Sequence, residues 1–136
     1  MLKVLAKNDT WQIPTLALNT GFVKKHYAYP DWTTDFQYLP SSIADQWESQ
    51  IAEVMKQEMT PFRAQQSQWM FDMVGKIHRT GIPIMAGTDC PIFFLTPGRS
   101  LHQELAVLVE AGLSPQEAIK AATTNPAKYF NLEQVC

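Results

Sequence analysis

The chain has 136 residues, 46% apolar and 18% charged, a balance that supports one globular domain with a real core and excludes a disordered chain. Its formal net charge of -2 leaves no basic surface to neutralise phosphates, since Lys24, Lys25 and His26 form the only basic cluster, so no nucleic-acid partner is expected. No segment approaches the ~20 apolar residues of a membrane span. The opening "MLKVLAKNDT" is too short and polar for a signal peptide, so the expectations are no membrane partner and a cytoplasmic location.

In chain order, "WQIPTLAL" (11–18) reads as a strand with Pro14 early in it, ending near Asn19-Thr20-Gly21. From Phe22 to Pro40 no period survives among Tyr27, Tyr29, Pro30, Trp32, Phe36 and Tyr38. This long aromatic-rich loop is either a lid or binding loop, or a surface excursion whose rings pack on a neighbouring element. Ser41 or Ser42 then caps a helix with the apolar face Ile43, Trp47, Ile51, Val54 and Met55. Thr60-Pro61 pairs an N-cap with proline at the first helical position, which predicts a break there. The following helix carries Phe62, Trp69, Met73, Val74 and Ile77 to Arg79, with Gly81 as its stop.

Ile82–Ala86 is too short for a helix and is bounded by glycines, so it reads as a buried strand. After a loop with Pro91, Pro97 and Gly98, Ser100 is expected to cap a helix through Leu101, Leu105, Leu108 and Val109, ending at Gly112. Ser114-Pro115-Gln116-Glu117 combines a capping box with proline at N1 and opens a helix through Ala118, Ile119 and Ala122. Asn125-Pro126 starts a last short helix to Phe130. A helix between two strands implies a parallel βαβ pair with a right-handed crossover. Two strands alone make no stable sheet, so the chain reads as part of a larger α/β structure.

Asp89 lies just past the end of the second strand, where parallel α/β proteins bind ligands. A carboxylate there can ligate a divalent metal and move a proton between water and a leaving group, or it can simply serve an Asx turn or helix cap. Glu104 and Glu110 read as ordinary helix charges, and His26 and His78 as unremarkable, the latter on a solvated helix end. Cys90 and Cys136 lack the close spacing of a metal-binding pair and read as two unrelated thiols.

"GIPIMAGTDCP" followed by "GRSLHQELAVLVEAGLSPQEAIKAATTNPAKYF" resembles the C-terminal end of a metal-dependent amidohydrolase, in the branch of imidazolonepropionase-like enzymes and amidohydrolase-type prolidases. The resemblance runs from about Thr80 to Leu132 and more weakly back to "WQIPTLAL", which is similar to the family's seventh barrel strand. It implies an α/β fold, the helix-rich C-terminal portion of a (β/α)8 TIM-type barrel holding strands seven and eight with their following helices. It further implies that Asp89 binds the metal, with zinc the expected ion, and carries the proton from nucleophilic water to the departing amine. Thr88, His102 and Phe93 would face the substrate, a small amide, cyclic amide or dipeptide; a structural partner for His102 and core packing for Phe93 and Phe94 are the alternatives.

The family's other ligands, an HxH pair, a bridging lysine or carboxylate and two further histidines, have no counterpart here: the three histidines are scattered. Nor does the chain include the strands of the small β-sandwich domain that follows in the family. The expectation is a partial barrel over 1–136 that is inactive alone and that associates with itself or with the rest of a barrel. The rival expectation is a non-catalytic helical module that self-associates through its unpaired strand edges.

Overall fold

The computed structural model describes residues 1–132 and Gln134. Its helices are α1 (Leu2–Lys7), α2 (Leu16–Asn19), α3 (Gly21–Lys24), α4 (Pro30–Thr33), α5 (Ser41–Met55), α6 (Pro61–Arg79), α7 (Arg99–Glu110), α8 (Pro115–Ala122) and α9 (Thr124–Tyr129), with tighter 3-10 turns at His26–Ala28, Thr34–Tyr38 and Ile92–Phe94. Cys136 lies outside the described residues, and Cys90 is an exposed free thiol.

Two helix starts stand where local chemistry puts them, whereas α5 begins at Ser41 behind Pro40 with no side-chain cap, against the expected Ser41 or Ser42 cap. Thr60 caps α6, its hydroxyl accepting from the Arg63 amide at 3.3 Å, and Pro61 takes the first position where no amide partner is needed. The Ser114–Glu117 capping box closes the start of α8 in both directions. Ser100 is a correction. α7 begins at Arg99 behind Gly98, and Ser100 sits one residue inside the helix, buried, with its hydroxyl donating to Thr88 Oγ1 at 3.3 Å.

The two expected strands are the larger correction. Among the described residues they reduce to one parallel bridge, Gln12 with Ile84, made by Gln12 N–H to the Pro83 carbonyl (3.0 Å) and Met85 N–H to the Gln12 carbonyl (2.9 Å). Three causes are visible. Pro14 and Pro83 have no amide to extend a ladder. The first segment turns helical at Leu16, because Glu104 accepts the Leu16 and Ala17 amides at 3.0 and 2.6 Å. The outer edge of the second segment is occupied: Ala86 N–H donates to the Ala121 carbonyl (2.8 Å) and Asn125 Nδ2 to the Ile84 carbonyl (2.8 Å). The pairing is parallel, as the βαβ order requires, and the segment is buried at Ile82, Ile84 and Met85, as its apolar run requires.

The long region 22–40 is a series of short helical turns in which part of the aromatic set packs inward, as the second alternative expects, while Tyr29 and Tyr38 stay exposed. Tyr27, Trp32 and Phe36 are buried, and edge-to-face contacts join Tyr27 and Trp47 to Phe94, and Phe36 to Trp47, at 5.3–5.9 Å between ring centroids. A second part of the same core joins Leu16, Ala17, Val74, Ile77, Val107, Leu108 and Ala118 beneath the bridge. Helix faces are rotated from the expected stripes: α7 buries Ser100, Glu104, Val107 and Leu108 rather than Leu101 and Val109, and α6 buries Ser67, Val74, Gly75 and Ile77 while Phe62 and Trp69 face outward.

Two glycines mark close approaches. A Cβ on Gly87 would stand 2.4 Å from Ile13 Cγ2, where the extended segments touch, and one on Gly75 would stand 2.6 Å from the Ala111 carbonyl oxygen, where α6 meets the end of α7. The second neighbour is backbone and cannot rotate away. Gly75→Ala should therefore destabilise the fold by about 1–3 kcal/mol, although alanine is favoured over glycine in a helix by about 1 kcal/mol; a urea melt showing a gain instead would mean that the helices part freely.

Candidate functional site

The candidate site is the loop that leaves the second extended segment. Thr88 is half-buried, and its Oγ1 accepts from Ser100 Oγ and from the Cys90 amide (3.4 Å), so α7 holds the first turn of the loop. Asp89 follows, exposed, at φ 56°, a left-handed conformation that aspartate tolerates better than most residues. Phe93 and Phe94 also stand at positive φ, 53° and 64°. For bulky residues this is strain, and it persists only where packing over-determines it. Here the constraint is plain: Phe94 is buried, its carbonyl accepts Trp32 Nε1 at 2.9 Å, and Phe93 lies 4.4 Å from the Phe22 ring, against Gly21.

Beyond the loop a groove of about 470 Å³ is lined by Asp35, Tyr38, Thr96, Arg99 and His102, among others. Arg99 bonds Asp31, lies 3.9 Å from Asp35 and sits over the Trp32 ring, which ties the groove's rim to the aromatic turns. The four expected site residues thus fall in three places. Thr88 and Asp89 share the loop's first turn, Phe93 packs among aromatic rings, and exposed His102 lines the groove. No hydrogen bond joins any two of the four among the described residues, and no group of three or more His, Cys, Asp or Glu there could hold a metal ion.

Glu104 and His26, read from the sequence as an ordinary helix charge and an unremarkable histidine, are both strongly perturbed by burial. Glu104 is no surface charge: it is fully buried, with both carboxylate oxygens engaged by the first amides of α2. Burial pushes its carboxyl up to about 7, against the lowering effect of the Ala17 and Leu16 amides. The available signal was its register, since Ser100, Glu104, Val107 and Leu108 recur at helical spacing on one face. His26 is 1% exposed between Tyr27 and Trp32, with neither ring nitrogen hydrogen-bonded. Burial lowers it to about 4. His78 is nearer its expected place: half-buried near the end of α6, 3.5 Å from Glu117, whose carboxyl the Ser114 hydroxyl and amide hold below the usual range.

The two buried groups oppose each other as pH changes. Glu104's native value lies above its ordinary 4.5, so its contribution to stability is full below 4.5 and is lost as pH rises through 7. His26's native value lies below its ordinary 6.5, so its contribution is full above 6.5 and is lost as pH falls through 4. Between about 4.5 and 6.5 the slopes nearly cancel. Glu104→Ala, which strands two buried amides, should cost on the order of 3 kcal/mol. Glu104→Gln should unmask the histidine, giving stability that falls steadily with acid between pH 6.5 and 4.5; urea midpoints across this range that stay as flat as wild type would contradict the assignment.

Residues 20–135 match the model of the Amidohydrolase family, a span that takes in the region 22–60, outside the stretch that carried the resemblance. The chain has no match among curated proteins. Among solved structures it likewise has none.

Proposed function

The chain belongs to the amidohydrolase family, and from that premise we propose that it supplies the C-terminal part of a (β/α)8-barrel hydrolase, strands seven and eight with their helices, that cleaves C–N bonds. A hydrolase-type enzyme follows from the family itself. The substrate class (amide, cyclic amide or dipeptide) and the imidazolonepropionase-like or prolidase branch are the proposal's finer part. The observation that carries it is the place of Asp89, three residues beyond a buried extended segment and at the head of a strained loop held by packing. A carboxylate so placed takes a proton from attacking water and delivers it to the leaving nitrogen, as general base and then general acid.

The residues present do not fit a metal centre by themselves. A hydrolytic zinc site takes about three protein ligands plus water, whereas Asp89 is exposed and belongs to no ligand cluster among the described residues. The proposal therefore assigns the remaining ligands to barrel elements that are not part of these residues, and gives this chain the proton-handling carboxylate alone. A self-associating module is the second reading, favoured by Phe62, Trp69, Ile119 and Phe130, which are 57–72% exposed.

The 136-residue protein supplied with Zn²⁺ is expected to hydrolyse dipeptides, N-acyl amino acids and cyclic amides no faster than buffer, and Asp89→Asn to leave its zinc calorimetry unchanged. Turnover that Asp89→Asn lowers by about 10²–10⁴-fold would show instead that the site is complete within the chain. An upstream reading frame carrying an HxH pair and further histidines would support the barrel. The association reading is checked by solution mass, where a monomer at every concentration counts against it.

A further inference from the structure

Every buried side-chain nitrogen or oxygen left without a partner among the described residues belongs to one region: His26 Nδ1 and Nε2, the Tyr27 hydroxyl and Thr96 Oγ1. All three side chains are at most 2% exposed. Buried polar groups are normally paired, so a cluster of orphans requires an account. His26 and Tyr27 stand on the aromatic turns, and Thr96 on the loop those turns cover.

The attachment of these turns is thin in polar terms. Backbone bonds from residues 26–39 run only to near neighbours in the sequence. The segment's side chains reach the rest of the chain through one neutral bond, Trp32 Nε1 to the Phe94 carbonyl, and through Arg99 at the rim, which bonds Asp31 and approaches Asp35. Apolar rings supply the remaining hold. At one end Lys25 is left-handed (φ 47°), and at the other Leu39 and Pro40 are extended, two places where the backbone changes course.

We infer that residues 25–39 form a hinged cover over the loop 92–98, closed while His26 is neutral and opened when His26 takes up a proton. Closed, the cover seals four orphaned polar atoms under aromatic rings; open, water pairs them all. A proton on the sealed imidazole would add an unpaired buried charge, so the protonated ring favours the open state. The charged groups of the cover and those packed about it are Arg63 of α6, which acts on Tyr27; Arg99 of α7, 5.6 Å from the Trp32 ring; and Lys25, Asp31 and Asp35 of the cover itself. None of them moves His26, whose lowering comes from burial alone. That opening admits substrate to the loop rests on the hydrolase reading; the opening itself does not.

Hydrogen exchange read by mass spectrometry, corrected for the chemical rate, tests the cover on the full chain. With an ordinary value of 6.5 and a closed value of about 4, the opening constant should rise about 100-fold from pH 7 to pH 4, seen as lost protection in 26–38 and 92–98 while α6 and α7 stay protected. His26→Phe should remove the pH dependence, and His26→Leu should do the same if the larger ring does not fit. Arg99→Gln should raise exchange at every pH and keep the dependence. Protection unchanged at pH 4, loss shared equally by α6 and α7, dependence that survives replacement of His26, or dependence abolished by Arg99→Gln would each overturn the inference. NMR of the wild type gives a check without variants: an imidazole resonance for His26 that titrates near 6.5 rather than near 4 would also overturn it.

Discussion

The grip of Glu104 on the first turn of α2 is the contact on which the rest of the arrangement depends. An isolated helix of four residues has no stability of its own, because nucleation is unfavourable and the chain ends before propagation can offset it. Its opening amides are buried and need an acceptor, and a carboxylate with two oxygens meets two of them at once. The same helix that carries Glu104 carries Ser100, one turn earlier, bonded to Thr88. α7 thereby holds both extended segments at their exits, and the candidate loop inherits its position from that double attachment. Burial opposes the ionised carboxylate while the amides favour it, and the upward shift shows that burial prevails.

What the residues disclosed in advance divides by the range of the forces involved. Thr60-Pro61 and the Ser114–Glu117 box were legible because cap, amide and proline lie within one turn, and nothing distant decides them. Although α2 fell in an expected strand and α3 and α4 lie at or within an expected loop, the existence of α5 to α9 was legible for the same reason. Helix faces were not: the apolar stripe expected on α7 had Leu101 and Val109 inside, whereas Glu104 occupies the interior because its partners are backbone groups far away in sequence. A carboxylate's burial depends on what meets it, and pattern alone records only that it is polar. His26 was missed for a related reason, since a basic cluster with Lys24 and Lys25 reads as solvated until the rings of Tyr27 and Trp32 are seen to close over it. The short α1 left no periodic signal, and the reading passed over it.

The reduction of two strands to one bridge bears on the site as well. A parallel strand is a precise platform only when both its edges are paired. Here the second segment has Gln12 on one edge and helical groups, the Ala121 carbonyl and Asn125 side chain, on the other. Those helical groups occupy the positions that a neighbouring strand's backbone would take. A barrel assembled around this chain has to exchange them for strand bonds, and since each side of the exchange has paired groups, the difference in hydrogen bonding is small. Apolar burial would then decide it, and the outward rings of Phe62 and Trp69 are surface still to be covered.

Asp89 shows why position and competence are separate properties. Its place past a buried segment is what the proposed proton transfer calls for, and Thr88, anchored through Ser100, holds the backbone just before it. Exposed to water, however, its charge is screened and its carboxylate is oriented by no neighbour among the described residues. Catalytic carboxylates work because a surrounding shell excludes water and aims them. The strained Phe93–Phe94 turn, bonded to Trp32 in the closed arrangement, fixes the backbone a few residues further along the same loop. In the proposed barrel the shell itself would come from elements that face Asp89 across the strand ends; among the described residues the carboxylate is exposed and not enclosed.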